Sequence, residues 1–118
     1  MITDYTIKTI KELINTEFVN TMKEYGLPAS QHEAFALLNE EIDESYENFI
    51  KIINKIGASP FKNDESLWEK IKKNESTVDD WTKTLDICTL TIAELVQVGA
   101  MIRKGIEFCN KKDIEADG

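Results

Sequence analysis

The sequence has few of the residues that interrupt helices, with only five glycines and two prolines among 118 residues. Hydrophobic residues make up 42% of the chain and charged residues 31%, a balance typical of a folded domain. The length is also that of one domain. We therefore predict a single all-α domain over residues 1–118.

Positive charge is scarce, with 14 lysines and arginines against 22 aspartates and glutamates and a formal net charge of −8. A general nucleic-acid-binding protein needs a clustered basic surface to neutralise phosphates, and the sequence contains no such cluster. We therefore expect no nucleic-acid partner.

Cysteine is equally scarce. Cys88 and Cys109 fall in one predicted helix, about 30 Å apart at ~1.5 Å per residue, so they cannot pair within one chain. This distance and the absence of a signal-peptide pattern favour a cytoplasmic protein. The longest apolar stretch, Ile87–Ile102, is shorter than a membrane span and contains Glu94 and Gln97. We expect it to be core, with no membrane partner.

Hydrophobic residues at spacings of three and four predict long helices. The first runs over about Asp4–Tyr25, and Gly26 and Pro28 follow as stop signals. The second begins at the capping-box pattern Ser30–Glu33. It carries one apolar seam that we expect to be buried. The members of this seam are Phe35, Leu38, Ile42, Ser45, Phe49, Ile52 and Ile56.

Gly57 and Pro60 should stop the second helix, and a polar connection follows. This connection contains a short predicted helix at about Glu65–Lys73. Ser76 can cap a last helix, which runs to about Asn110 and leaves residues 110–118 as a frayed tail. The prediction is a four-helix-type bundle with a long C-terminal helix and a short helix in the connection.

An acidic stretch, LNEEIDESYE, lies in the second helix. Its charges divide between two faces. Asp43 and Glu47 fall on the solvated face, whereas Glu41 and Glu44 share a partly covered sector with Leu37. Two carboxylates at positions i and i+3 can converge on one hard cation.

Glu94 is the only charged residue in the apolar stretch of the last helix, so it should lie in an interior or a cleft. An ionised carboxylate there costs several kcal/mol unless it is paired or binds a metal. The alternatives are a salt bridge to a lysine, a protonated Glu94 bonded to a threonine such as Thr91, or a metal site shared with Glu41 and Glu44. A ligand set of oxygens alone selects Mg²⁺, or Mn²⁺, over zinc.

The pattern EEIDE at residues 40–44, followed by ELVQ at residues 94–97, resembles the EExxE and ExxD motifs of the MazG-like all-α nucleoside triphosphate pyrophosphatases. The stretches KEYGLPASQHEAFALLNEEIDE and IAELVQVGAMIRKGIE are similar to a small branch common in phages and prophages. The resemblance covers about residues 20–108. It implies a Mg²⁺-dependent enzyme that cleaves a nucleoside triphosphate to a monophosphate and pyrophosphate.

The resemblance implies that Glu41, Glu44 and Glu94 are metal ligands and that Glu40 is a catalytic acid or water-orienting base. Gln97 takes the place of the second motif's aspartate, and its neutral carbonyl can ligate a metal but cannot accept a proton from water. Two other registers place Thr91 and Glu94, or Lys83 and Asp86, in the second motif. Every register lacks one acid.

The leading hypothesis is therefore a MazG-like pyrophosphohydrolase with weak or altered activity. The alternative is a catalytically inactive interaction or nucleotide-sensing protein of the same fold. A long helix that is apolar on all sides in so small a chain also predicts a homo-oligomer, a dimer or larger.

Overall fold

The computed structural model describes the backbone of residues 1–58 and 63–117 and the side chains of residues 1–58 and 63–112. These residues form four helices and no strand, which confirms the all-α prediction. The helices are α1 (Asp4–Tyr25), α2 (Gln31–Ile56), α3 (Leu67–Lys72) and α4 (Val78–Asp117). The predicted long C-terminal helix and the short helix in the connection are both present. A MazG-like bundle stays a prediction.

The predicted start and stop signals act locally. The Ser30 hydroxyl accepts a hydrogen bond from the Glu33 amide at 3.1 Å and so caps α2. Gly26, with φ of 70°, ends α1 by donating its N–H to the Met22 carbonyl at 3.0 Å. Gly57 ends α2 in the same left-handed region, with φ of 81°. Pro60, the other predicted stop, lies outside the described residues.

The last helix is longer than the sequence pattern predicts. It begins at Val78 and continues past Asn110 to Asp117, whereas the expected end was near Asn110. The stretch KKDIEAD that follows Asn110 has no Gly or Pro to end the helix. By length and composition alone, Val78–Lys112 is long and apolar enough to cross a membrane, with a mean hydropathy of 1.6 in its apolar window. The core helix of a soluble protein meets the same two criteria.

The chain forms two compact units, Met1–Ile42 with Glu94–Gly118, and Asp43–Ala93. In the first unit α4 buries Ala100, Met101 and Phe108. Its Gly99 lies so close to α1 that a Cβ atom there would come within 2.7 Å of the Ile14 Cδ1 atom. The absence of a side chain at position 99 therefore sets the approach of α1 to α4.

In the second unit two lysines contact one buried carboxylate. Asp80 is buried, and both of its carboxylate oxygens accept hydrogen bonds from Lys70 Nζ, at 3.1 and 3.2 Å. Lys55 Nζ lies 3.1 Å from the same carboxylate. The hydrogen bonds from Lys70 and then from Lys55 lower the pKa of Asp80. Leu67 is the one apolar residue of this unit that is buried among the described residues.

The prediction that the apolar seam of α2 is buried holds only in part, because Ser45 is buried and Leu38, Ile52 and Ile56 are half-buried, whereas the other three members are exposed. Phe35, Ile42 and Phe49 are each 44–68% exposed. The covered sector also contains Glu41 and Leu37, which the sequence placed on a second, partly covered surface. An apolar row left open in one chain is physically reasonable only where another surface covers it.

Candidate metal centre

Three of the glutamates singled out in the sequence lie together. One carboxylate oxygen from each of Glu41, Glu44 and Glu94 lies within 4.8 Å of the other two. Glu41 and Glu94 are half-buried and belong to the first unit, and Glu44 is exposed and follows Glu41 by one turn of the same helix. The convergence joins residues that are about fifty positions apart in the chain.

The position of Glu94 follows from the row of α4 that turns away from solvent. This row repeats at spacings of three and four through Thr91, Glu94, Val98 and Met101, all half-buried or buried. On α2, Glu41 lies one turn before the buried Ser45, on the side of the helix that is covered. Both half-buried carboxylates are therefore fixed by helix periodicity and not by a loop, which favours a constant geometry.

Two alternatives to a metal site at Glu94 are a salt bridge to a lysine and a hydrogen bond to a threonine, and the structure shows neither among the described side chains. Within the described side chains, no lysine or arginine nitrogen lies within 4.0 Å of its carboxylate. The Thr91 hydroxyl donates a hydrogen bond to the Ile87 carbonyl at 2.8 Å, and among the described side chains no hydrogen bond joins Thr91 to Glu94. Three carboxylates this close repel one another when ionised, unless a cation lies between them.

The donor set suits a hard divalent cation. Carboxylate oxygens bind Mg²⁺ at about 2.0–2.1 Å and Ca²⁺ at about 2.3–2.6 Å, and small side-chain rotations bring oxygens 4.8 Å apart onto one ion. The set contains no sulfur and no imidazole, which are the usual zinc ligands. Three carboxylates that belong to two helices also leave several coordination positions for water or for the oxygens of a substrate.

Gln97 makes a contact that the sequence did not predict. Its Nε2 atom donates a hydrogen bond to Glu17 Oε1 of α1 at 2.7 Å, and both side chains are half-buried. The amide of Gln97 is thereby directed toward α1. The sequence did carry a signal for Glu17, because this acid lies on the same face of α1 as Ile14 and Phe18. Glu94 lies among apolar residues of α4 in the same way.

The remaining candidates are not members of this cluster. Glu40 is exposed, and it is not among the three convergent carboxylates. Asp86 and Lys83 are exposed too, and Glu94, not Asp86, lies with Glu41 and Glu44. The geometry therefore favours the two registers that contain Glu94 over the register of Lys83 and Asp86.

An apolar cleft lies along the same two helices in the first unit. Its volume is about 470 Å³. On α2 its wall includes Leu38, one turn before Glu41, and on α4 it begins at Met101, two turns after Glu94. Phe35 and Phe108 supply aromatic rings, and the Gln31 amide, 3.5 Å from the Cys109 sulfur, supplies a polar edge. Nothing in the motifs predicted this cleft.

Comparison of the chain with protein-family models, with curated proteins and with solved structures gives no match in any of the three. The candidate site is therefore defined by its own geometry.

Proposed function

We propose that this chain is a Mg²⁺-dependent nucleoside triphosphate pyrophosphohydrolase of the MazG-like all-α type. The reaction would convert a nucleoside triphosphate and water to a nucleoside monophosphate and pyrophosphate. The observation that carries the proposal is the convergence of Glu41, Glu44 and Glu94, three oxygen donors from two helices at one point. The motif resemblance of residues 40–44 and 94–97 supports the same assignment.

The three carboxylates would hold the metal, with Mn²⁺ as a substitute for Mg²⁺. A divalent cation at this point supplies neutralisation of the triphosphate charge and polarisation of the bond to be broken. Three ionised carboxylates carry a formal charge of −3, so they would more than balance the +2 charge of such a cation. Glu40, exposed at the start of the acidic motif, would orient the attacking water and take its proton.

The apolar cleft would receive the base of the nucleotide. Its aromatic residues, Phe35 and Phe108, offer faces on which a base can stack. The amide of Gln31 can exchange hydrogen bonds with the edge of a base. Because the cleft and the carboxylates share α2 and α4, one extended nucleotide can reach both.

The proposal is tested by incubating the protein with Mg²⁺ and a panel of ordinary and modified nucleoside triphosphates and analysing the products. Equal amounts of monophosphate and pyrophosphate, lost in Glu44→Gln, would support it. Release of inorganic phosphate and a diphosphate would place the cleavage at the wrong bond. A protein that binds the metal and yields no product from any substrate would end the proposal of an enzyme.

A second candidate is a nucleotide-sensing or interaction protein of the same fold that has lost hydrolysis. The observation in its favour is the hydrogen bond from Gln97 to Glu17. Gln97 stands at the position of the motif's second acid, and its neutral amide is used in this bond. This protein would bind Mg²⁺ and a nucleotide without turnover. Both candidates fit the cytoplasm and the phage or prophage branch that the sequence resembles.

A further inference from the structure

The helix α2 carries a row of large apolar side chains that this chain leaves exposed. The row, which we call the open row, consists of Phe35, Ile42, Tyr46 and Phe49. Each of the four exposes between 44% and 68% of its surface. Their spacings keep them on one side of the helix over about four turns, and Asn39 fills the position between the first two. Spacings of three and four are also those of a helix that packs along another helix.

An acidic edge borders the open row on one side. Asp43 and Glu47 are exposed and lie about 60–100° around the helix from Tyr46. Among the described side chains, no lysine or arginine nitrogen lies within 4.0 Å of either carboxylate. The lysines of α2, Lys51 and Lys55, lie about 140–180° from Tyr46 and so on the far side of the helix. The edge therefore has no cation of its own.

The aromatic rings of the open row also have no cation over them. Elsewhere in the described residues a lysine or arginine lies over an aromatic ring in four places, with the cation 4.6–5.8 Å from the ring centre. None of these four contacts involves Phe35, Tyr46 or Phe49. The face of an aromatic ring attracts a cation, as a carboxylate does. Two kinds of cation-binding group thus lie side by side on this face, and the described part of the chain supplies a cation to neither.

The chemistry of this face selects a basic amphipathic helix. Lysine and arginine have an apolar stem that can pack on the rings of the row and a charged head that can reach the acidic edge. An apolar row on the same partner helix would cover Ile42 and Phe49. One partner of this kind satisfies the apolar row, the rings and the carboxylates together.

Other occupants fit the same face less well. Two copies of α2 that met antiparallel would bring their acidic edges together, and like charges repel. In a parallel pair the acidic edge would meet the other border of the row, where Leu38 and Ser45 are uncharged. Nucleic acid and anionic lipid would be repelled by Asp43 and Glu47. The homo-oligomer predicted from the apolar α4 concerns a different helix.

We propose that the open row of α2 docks a basic amphipathic helix of another protein. Its apolar residues cover the row, and its lysines or arginines pair with Asp43 and Glu47. The assignment is independent of the proposed enzyme activity, because Ile42, Tyr46 and Phe49 do not line the apolar cleft and neither acid belongs to the carboxylate cluster.

The test uses a dye-labelled synthetic helix of about 18 residues, with leucine and lysine at helical spacing, and a second peptide with glutamate in place of lysine. Fluorescence anisotropy during titration with the full chain gives each dissociation constant. We expect the lysine peptide to bind and the glutamate peptide not to bind. Tyr46→Ala should raise the dissociation constant of the lysine peptide at least about tenfold. Tyr5→Ala, which removes the same side chain from a 78% exposed position on α1, should leave it unchanged.

A pair of charge variants tests the acidic edge. Asp43→Asn combined with Glu47→Gln should raise the dissociation constant of the lysine peptide about threefold or more. Glu12→Gln combined with Asp86→Asn removes the same charge from exposed positions on α1 and α4, and should have little effect. Circular dichroism of each variant checks that the helix content is unchanged, as expected for substitutions at exposed positions.

Several results would overturn the proposal. A lysine peptide that does not bind, or a glutamate peptide that binds equally well, would exclude a basic partner. Equal effects of Tyr46→Ala and Tyr5→Ala, or of the two charge pairs, would show a general attraction to an acidic chain and not a docking face. Self-association that is seen by light scattering without peptide and is lost in Tyr46→Ala would make a second copy the occupant of the open row.

Discussion

Gln97 of α4 donates a hydrogen bond from Nε2 to the Glu17 carboxylate of α1 over 2.7 Å. A carboxylate belongs at position 97 in the motif that this sequence resembles, yet here the carboxylate is on the opposite helix. A second acid at position 97 would lie against Glu17 and repel it. A neutral side chain at position 97 therefore avoids repulsion with Glu17.

This relationship predicts the outcome of exchanging the two groups. Gln97→Glu alone should destabilise the protein by about 1.5 kcal/mol, because it replaces a hydrogen bond to a charged group with a repulsive pair. The double variant Glu17→Gln with Gln97→Glu restores one donor and one acceptor, and should recover most of that loss. Urea unfolding measures both. Equal stability of the single and double variants would show that the two side chains do not interact.

A comparison of two glycines tests the packing of α1 on α4. Gly105→Ala should raise the stability by up to about 1 kcal/mol, since alanine favours a helix and a Cβ atom there meets no other group within 4 Å. Gly99→Ala should lower it, because its Cβ would overlap the Ile14 side chain. Thermal unfolding of both variants gives the sign of each change. Stabilisation by Gly99→Ala would mean that the helices do not approach as described.

The lowered pKa of Asp80 predicts that the protein loses stability in acid. Its pKa in the folded protein is lowered by the hydrogen bonds from Lys70 and then from Lys55. A lowered pKa means that the stabilisation is present above the ordinary value of 3.8 and is lost as the pH falls through the folded value. Thermal unfolding between pH 7 and acid should show this loss in the natural chain. Asp80→Asn should be less stable at neutral pH and less sensitive to acid, and an unchanged pH dependence would contradict the assignment.

Removing one carboxylate from the cluster should have opposite effects with and without metal. In the presence of a chelator, Glu94→Gln should raise the melting temperature, because it relieves repulsion among carboxylates within 4.8 Å of one another. In the presence of Mn²⁺ it should weaken binding by about tenfold or more, since affinity follows the charge of the ligands. Calorimetric titration measures the binding, with Glu47→Gln on the solvated face of α2 as the control. An effect of Glu47→Gln as large as that of Glu94→Gln would contradict a specific site.

Helix periodicity and capping residues made much of the fold predictable. The bounds of α1 follow from Gly26 and the start of α2 from Ser30, because such signals act within a few residues. The exposure of Phe35, Ile42 and Phe49 could not be predicted, since periodicity identifies an apolar row but not the surface that covers it. The end of α4 was missed because the residues after Asn110 include no Gly or Pro up to Asp117 that would mark where the helix ends.

The candidate site, like the fold, could be predicted only in part. Glu94 was identified by its isolation among apolar residues, and Glu41 and Glu44 by their spacing, so the meeting of the three could be predicted as one possibility. The contact between Gln97 and Glu17 and the apolar cleft could not be predicted, because each depends on residues from two helices that no local pattern relates. Function at this site depends on whether a metal binds there, which no spacing can establish.

The most direct measurement of the central hypothesis is product analysis after incubation with nucleoside triphosphates and Mg²⁺, for the natural chain and for Glu41→Gln. The natural chain should release monophosphate and pyrophosphate in equal amounts, in a reaction abolished by a chelator and by the substitution. A natural chain that binds Mg²⁺ at these carboxylates but releases no pyrophosphate from any triphosphate would contradict it.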